Sequence, residues 1–311
     1  MKIKVLKFGG TSVGSIEAIK RSADIIHDWS KKSKVIAVLS AMSGETDRLI
    51  NLTKSFSKNP NPIDFDNAIS SGENVSCALM SICLNNQKIK AKSLLSWQIP
   101  IITSSEHMKS RILSINKKFL YDELENFEVL LIPGFQGINN KGELTTLGRG
   151  GSDTSAVAVA AAMETECIIY TDVEGVFTTD PNIVPKAKKI NKISYEEMLE
   201  LASQGAKVLQ TRSVELAMRK NTKLSVRSSF KPKKIGTMIT DEKSVLENNT
   251  VSGITYSKDE AKITLSRVQD KPGVSSKIFG PLAKGNINVD MILQNISQDG
   301  KFANLSFTLP R

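Results

Sequence analysis

Short apolar runs alternate with amphipathic segments over roughly the first 230 residues of the chain. The runs typical of buried strands are Ile3–Phe8, Lys34–Leu39, residues 128–135, Cys167–Thr171 and Leu224–Ser228, with a strand pair within residues 90–102. Helical periodicity marks segments between them, including residues 67–84 and residues 194–219, the latter with a break at Gly205. This alternation predicts an α/β fold in which helices sandwich a largely parallel sheet.

The rhythm changes after the last of these strands. Residues 231–250 are polar, contain KPKK and ENN, and predict a linker between a domain of residues 1–230 and a smaller one of residues 251–311. In the smaller domain, residues 261–267, 287–295 and 302–309 predict strands and residues 274–283 a helix. This β-α-β-β order is the first part of an α+β ferredoxin-like unit whose last helix and strand do not follow. We therefore expect either a fragment of a longer protein or a reduced domain.

Residues 145–163, TTLGRGGSDTSAVAVAAAM, join a glycine-rich turn to an alanine-dense helix. The turn combines glycines that can take positive φ, residue types that cap helices and an arginine: Gly148, Gly150, Gly151, Ser152, Asp153 and Arg149. Free N–H groups at a helix start favour a carboxylate or phosphate, and a guanidinium adds a bidentate donor for either. An ordinary capped connection between a strand and a helix explains this stretch equally well. Support for an anion site therefore has to come from other segments of the chain.

A second glycine turn follows the first strand, where Lys7 precedes Gly9 and Gly10. The order of a P-loop is missing, because the lysine comes before the glycines. Ligands of open α/β sheets bind at the carboxyl ends of strands, where a lysine can place its ammonium over a phosphate. The alternative is a lysine that ends an edge strand in solvent.

Polar residues follow other predicted strands as well. Glu73, near the start of a helix, is either a surface acid favoured by the helix dipole or a partner for an ammonium group. Asp172 and Asp180 flank a turn of glycine, aromatic and proline residues that can bind a ribose and a hard cation, or can simply be solvated.

Composition excludes several classes of protein. The chain has 311 residues, 40% of them hydrophobic and 24% charged, and no apolar run reaches the length of about 18 residues that spans a bilayer. The three cysteines lack metal-ligand spacing, and two histidines give little material for a histidine-based site. The net charge of +10 is spread along the chain and aromatic residues make up 5%, which argues against nucleic-acid binding. We expect a cytoplasmic protein with neither nucleic acid nor membrane as a partner.

Six motifs, taken together and in order, resemble the aspartate kinases of the amino-acid kinase family. They are KFGGTSV at residues 7–13, AMSGETD at 41–47, SGE at 71–73, TLGRGGSDT at 146–154, YTDVEGVFTTDP at 170–181 and ASQGAKVLQ at 202–210. The tail, with VQDKPG at residues 268–273 and INVDMILQN at 287–295, resembles the first of the paired ACT regulatory modules of that family. The resemblance implies ATP- and Mg²⁺-dependent phosphorylation of L-aspartate to 4-phospho-L-aspartate, toward lysine, threonine and methionine, by a homo-oligomer under allosteric control.

The resemblance also implies roles for individual residues. The catalytic residues would be Lys7, Arg149 and Asp153. Aspartate would be bound by Thr46, Glu73, Arg149, Gly150 and Ser152. ATP would be bound by Lys7, Phe8, Gly9, Gly10, Thr171, Asp172, Phe177, Asp180 and Lys207. A lysine or threonine effector would be bound by Asp270, Pro272, Gly273, Gln294 and Asn295. Mg²⁺ would bridge phosphate oxygens and a carboxylate, and no particular residue is assigned to it as a ligand.

Two alternatives stay open at this point. One is a related kinase that acts on glutamate, acetylglutamate or a nucleotide, against which SGE and GRGGSD argue. The other is a non-catalytic effector-binding subunit, against which the presence of Lys7, Arg149 and Asp153 argues. An assay of phosphoryl transfer with each acceptor separates the three hypotheses.

Overall fold

The computed structural model describes residues 2–99, 101–206, 208–241, 253–256, 260–285, 287, 289, 291–297 and 302–310. The chain divides into two compact units, Met1–Thr255 and Tyr256–Arg311. Within the described part of the chain, none of the helices combines the length and apolarity that crossing a bilayer requires.

The first unit contains alternating strands and helices. Its strands are β1 (Ile3–Phe8), β2 (Lys34–Leu39), β3 (Ala91–Ser93), β4 (Ile101–Thr103), β5 (Ile112–Ile115), β6 (Val129–Pro133), β7 (Gln136–Ile138), β8 (Leu144–Thr146), β9 (Cys167–Thr171), β10 (Lys192–Ser194), β11 (Leu224–Ser228) and β12 (Thr237–Thr240). Its helices are α1 (Ile16–Ser30), α2 (Glu45–Phe56), α3 (Pro62–Ile69), α4 (Ser71–Asn86), α5 (Lys117–Asn126), α6 (Gly151–Ala162), α7 (Tyr195–Ser203) and α8 (Thr211–Arg219).

Eight of these strands form one sheet in the order β10-β12-β11-β9-β1-β2-β6-β3. All neighbours are parallel except β11 and β12. Successive residues of β1 point to opposite faces, so Val5 packs with the core that includes α6 and α8, whereas Leu6 packs with the core that includes α1 and α4. The predicted α/β sandwich is therefore confirmed.

A second, smaller sheet has the order β5-β4-β7-β8. The two strands predicted within residues 90–102 form, but β3 joins the large sheet and β4 the small one, so they are not a pair. The helix predicted over residues 67–84 is two helices, α3 and α4, which meet at Ser70. Asn61 starts α3, since its side chain accepts a hydrogen bond from the N–H of Ile63 at 2.9 Å.

The predicted linker of residues 231–250 is wrong for its central part. Strand β12 lies within it and pairs antiparallel with β11 and parallel with β10. Ile239 is fully buried whereas Met238 is 42% exposed, which is the alternation of a half-covered strand. This stretch is therefore part of the large sheet, and residues 242–250 lie outside the described residues.

The second unit contains β13 (Glu260–Gln269), α9 (Val274–Lys284), β14 (Ile292–Ile296) and β15 (Phe302–Pro310). Its antiparallel sheet has the order β13-β15-β14. The predicted β-α-β-β order is confirmed, although β13 continues past a bulge beyond the predicted strand end at Arg267, to Val268 and Gln269. The strand predicted over residues 287–295 begins at Ile292, and residues 286, 288 and 290 are not among those described.

Candidate active site

A cavity of about 520 Å³ opens at the carboxyl ends of β1, β2 and β9. These three strands are neighbours in the sheet, so the loops that follow them meet at one edge. The predicted site residues that line this cavity are Lys7, Gly9, Gly10, Thr46, Glu73, Arg149, Gly150, Ser152, Asp153, Thr171 and Asp172. The ammonium of Lys7 and the guanidinium of Arg149 thus share one cavity, although they are distant in sequence.

Lys7 and Asp153 form a buried ion pair at the floor of this cavity. Lys7 Nζ lies 2.6 Å from Asp153 Oδ1, and the two residues are 9% and 8% exposed. The buried ammonium and carboxylate are therefore in direct contact as an ion pair. A Cβ placed on Gly9 would lie 3.3 Å from Nζ, so a glycine leaves room for the lysine. Asp153 thus holds the Lys7 ammonium in place. The ammonium in turn neutralises the charge of a carboxylate that would otherwise repel an anion.

The turn before α6 uses two of its three glycines in the left-handed region, Gly148 at φ 76° and Gly150 at φ 72°. Gly150 is the N-cap of α6, so the prediction that Ser152 or Asp153 caps the helix by its side chain is wrong. The positive φ of Gly150 turns the chain directly into the helix, which places Ser152 and Asp153 in the first turn. Their N–H groups lie at the positive end of the helix dipole, beside Arg149.

Glu73 is a buried acid with an unused acceptor. The residue is 3% exposed, and its Oε1 accepts a hydrogen bond from the N–H of Ala41 at 3.2 Å. Its Oε2 has no hydrogen-bond partner among the described residues. Burial raises the pKa of this carboxyl to about 7, against the opposing effect of the Ala41 hydrogen bond. A buried acceptor oxygen without a partner is costly, and a hydrogen-bond donor of a ligand in the cavity would remove this cost.

Other residues predicted to bind ATP lie around or away from this cavity. Phe8 is buried behind it and stacks on Tyr170, with ring centroids 5.1 Å apart. Phe177 and Asp180 are not among the described residues that line the cavity; the Oδ1 of Asp180 accepts the N–H of Asn182 at 2.9 Å. Lys207 lies outside the described residues.

A magnesium ion with one protein carboxylate fits the acids present. Among the described residues there is no group of three or more side chains that could hold a metal ion. Mg²⁺ in phosphoryl-transfer sites commonly uses one or two carboxylates together with substrate phosphates and water. Asp172 lines the cavity, and among the described residues its carboxylate accepts a hydrogen bond only from Thr171 Oγ1, at 3.0 Å. Asp153, in contrast, is paired with Lys7.

The residues predicted to bind an effector lie in the second unit. Gln294 Nε2 donates to Asp270 Oδ1 at 3.3 Å, and Gly273 starts α9 with φ 89°. Pro272 is exposed, and Asn295 pairs with Asn304 between β14 and β15. Asp270 and Gln294 are therefore in contact.

Sequence reasoning missed several residues that line the cavity. Gln210, Asp47 and Phe135 contribute to its wall but received no role from the motifs. Asp47 and Gln210 stand at the ends of the AMSGETD and ASQGAKVLQ motifs, which was the available signal. Phe135 follows a buried strand in an apolar run, where no local pattern separates a cavity wall from ordinary core.

Comparisons with known proteins agree with this geometry. The family description "Amino acid kinase family" matches residues 2–228, and "ACT domain" matches residues 263–310. An aspartate kinase of Pseudomonas putida is 48% identical over 314 aligned positions, which cover 100% of this chain and 76% of that protein.

Solved structures give the same result. The aspartate kinase of Synechocystis is 40% identical with a TM-score of 0.70, covering 99% of this chain and 52% of that one. Aspartokinase III of Escherichia coli in complex with aspartate and ADP is 25% identical with a TM-score of 0.74, covering 100% and 79%. The same enzyme with lysine and aspartate is 26% identical with a TM-score of 0.77, covering 99% and 79%. From the motifs, the fold and the identity to curated relatives together, the chain belongs to the aspartate kinases of the amino acid kinase family.

Proposed function

We propose that this chain transfers the γ-phosphoryl group of ATP to the side-chain carboxylate of L-aspartate and forms 4-phospho-L-aspartate. One observation carries the proposal: a single cavity holds a guanidinium, an unpartnered buried carboxylate oxygen and a buried ammonium, from Arg149, Glu73 and Lys7. These groups complement the α-carboxylate and α-ammonium of aspartate and the phosphoryl group in transfer. Aspartokinase III of E. coli, a structural relative, binds aspartate and ADP.

The proposed chemistry needs alignment and charge neutralisation rather than a proton acceptor. The attacking carboxylate is already anionic, and no histidine occurs among the described residues that line the cavity. Lys7 neutralises charge on the phosphoryl oxygens in the transition state, helped by N–H groups at Gly9 and Gly10. Asp153 keeps the Lys7 ammonium in position at 2.6 Å. Arg149 and Glu73 fix the two ends of the amino acid backbone and so direct its side chain toward Lys7.

Nucleotide binding is assigned to the Lys7 side of the cavity, where Thr171 ends β9 and Asp172 follows it. When bound there, Mg²⁺ would neutralise phosphate oxygens and be held by Asp172. The product would supply lysine, threonine and methionine synthesis. The second unit would bind lysine or threonine through Asp270 and Gln294, which are in contact. The E. coli relative has been solved in complex with lysine, which supports an amino-acid effector.

The test is an acceptor assay with MgATP in which acyl phosphates are trapped as hydroxamates. We expect hydroxamate with L-aspartate. With L-glutamate or N-acetylglutamate we expect at least about tenfold less, because one extra methylene that does not fit a pocket typically costs that much. Preference for glutamate would show a related kinase instead. Binding of lysine or threonine without hydroxamate from any acceptor would show the effector-binding subunit.

A further inference from the structure

The loop that carries Arg149, before α6, is bound by a buried acid of helix α3. Asp66 of α3 is fully buried, and its Oδ1 accepts from Thr146 Oγ1 at 2.6 Å while its Oδ2 accepts from the N–H of Thr146 at 3.0 Å. Asp66 Oδ2 also accepts the N–H of Met108 at 3.1 Å and lies 2.9 Å from His107 Nδ1. Thr146 ends β8, directly ahead of the glycine turn, so this carboxylate fixes where the turn begins.

A guanidinium on α8 holds the next residue of the same loop. Arg212 Nη1 donates to the carbonyl of Leu147 and Nη2 donates to the carbonyl of Ser110, both at 2.8 Å. Ser110 in turn donates its N–H and hydroxyl to the carbonyl of Thr146, at 3.0 and 2.9 Å. Burial and then the charge of Arg111 lower the pKa of this guanidinium from its usual range. Its planar fork thus ties the strand before the glycine turn to a neighbouring segment.

The glycine turn has little space to move against these anchors. A Cβ on Gly148 would lie 2.8 Å from the carbonyl oxygen of Met108, the residue whose N–H is bound to Asp66. Among the described residues that line the cavity, neither Asp66 nor Arg212 is present. Both side chains instead contact the segment that leads to Arg149, and through this segment they can affect a substrate.

We propose that Asp66 and Arg212 are positioning residues that fix the backbone from Thr146 to Gly148 and so aim the Arg149 guanidinium at the substrate carboxylate. The inference rests on the proposed function, in which Arg149 binds aspartate. A loosened loop lowers substrate affinity, because a guanidinium that samples other directions spends less time in the bidentate geometry.

The first test is Arg212→Lys, which keeps the positive charge and removes the fork that reaches two carbonyls. We expect the KM for aspartate to rise roughly tenfold, with kcat falling less than about threefold and the KM for ATP unchanged. Arg219→Lys is the matched control, since Arg219 is on the same helix, pairs with Glu215 at 2.8 Å and has a side chain that is 70% exposed. That control is expected to leave all three constants unchanged.

Asp66→Asn is the second variant, because it keeps the size of the side chain and replaces one acceptor oxygen by a donor group. The KM for aspartate is expected to rise in the same way, together with a lower Tm from the lost buried hydrogen bonds. A double-mutant cycle then separates positioning from general support. If Arg212 acts through Arg149, Arg212→Lys will not raise the KM further in an Arg149→Ala background.

Three results would overturn the proposal. They are an unchanged aspartate KM in folded Arg212→Lys, additive effects of Arg212→Lys and Arg149→Ala, or a fall in kcat and Tm alone in both variants. Calorimetric titration of aspartate without ATP keeps this test apart from the proposed function. If the wild-type protein does not take aspartate, the proposed function fails, and the same comparison with the amino acid that it does take decides the positioning role.

Discussion

Two acids of the cavity differ because their neighbours differ. Asp153 has the ammonium of Lys7 at 2.6 Å, whereas Glu73 has one backbone N–H and an oxygen without a partner among the described residues. Burial raises the pKa of Glu73 to about 7, so its carboxylate is only partly ionised near neutral pH in the empty site. The first acid is thus a fixed support for a lysine, and the second is poised to accept a cation.

The first prediction concerns the pH dependence of aspartate binding. An ammonium group binds the ionised form of Glu73, so the aspartate KM should fall as pH rises from about 6 to about 8. Glu73→Gln should remove this dependence and raise the KM by a factor that is small near pH 6 and grows as pH rises through about 7. Steady-state kinetics at several pH values measure both effects. A Glu73→Gln enzyme that keeps the wild-type KM and its pH profile would contradict the assignment.

The second prediction concerns stability and follows from the same raised pKa of Glu73. The stabilising contribution of this group is fully present below its ordinary pKa of 4.5 and is lost as pH rises through about 7. Glu73→Gln should therefore have a higher Tm than wild type above a pH of about 8. Glu164→Gln, at a side chain that is 80% exposed, is the control and should not change the Tm. A lower Tm for Glu73→Gln at that pH would mean that the ionised carboxylate is stabilised in the fold.

The third prediction concerns Lys7. Lys7→Ala should lower kcat roughly a hundred- to a thousandfold, the typical loss for one preorganised donor to the transition state, with a smaller change in aspartate affinity. Lys4→Ala is the control on the same strand, because Lys4 pairs with Glu166 at 2.6 Å and does not line the cavity among the described residues. Normal turnover with a large loss of aspartate affinity would mean that Lys7 binds the amino acid rather than the phosphoryl group.

At the scale of elements, the start of α6 depends on one glycine. Gly150 has φ 72°, and a Cβ there would clash with Gln210 Cγ. Gly150→Ala should therefore destabilise the protein by more than the ~1 kcal/mol of a left-handed alanine, and should raise the aspartate KM. Gly142→Ala isolates the backbone cost, since Gly142 has φ 78° and no atom within 4 Å of the added Cβ. Equal losses in chemical denaturation of the two variants would show that the contact with Gln210 is unimportant.

The sequence predicts the elements that carry a long pattern and misses several of the short ones. Strands β1, β2 and β9 are buried runs in a covered sheet, so hydrophobicity alone marks them. Strand β12 has only four residues beside lysine-rich sequence, so the sequence predicts a linker there. The short strands β7 and β8 of the small sheet contain three residues each and offer no period to detect.

The site was predictable where a motif stood at a strand end and unpredictable where a contact crossed the fold. Lys7 and Arg149 follow from glycine turns placed at carboxyl ends of strands. Asp66 could not be recognised, because within its own helix it reads as a solvated acid, and only the tertiary structure brings it to Thr146. Arg212 likewise reads as a polar residue at a helix start, and its two carbonyl partners come from other segments.

At the scale of the whole molecule, the cavity and the predicted effector residues belong to different units. The cavity lining lies within Met1–Thr255, whereas Asp270 and Gln294 lie within Tyr256–Arg311. The fifth prediction is that a protein ending at Thr255 retains hydroxamate formation from aspartate and loses any inhibition by lysine or threonine seen in the full chain. Inhibition that survives the truncation would place the effector site in the first unit.

The most direct measurement is a crystal structure of the chain with L-aspartate and a non-hydrolysable ATP analogue. We expect the α-carboxylate of aspartate on Arg149, its ammonium on Glu73 and the terminal phosphate on Lys7. The side-chain carboxylate of aspartate should then lie next to the terminal phosphate. Aspartate bound away from Arg149 and Glu73, or a terminal phosphate out of reach of Lys7, would contradict it.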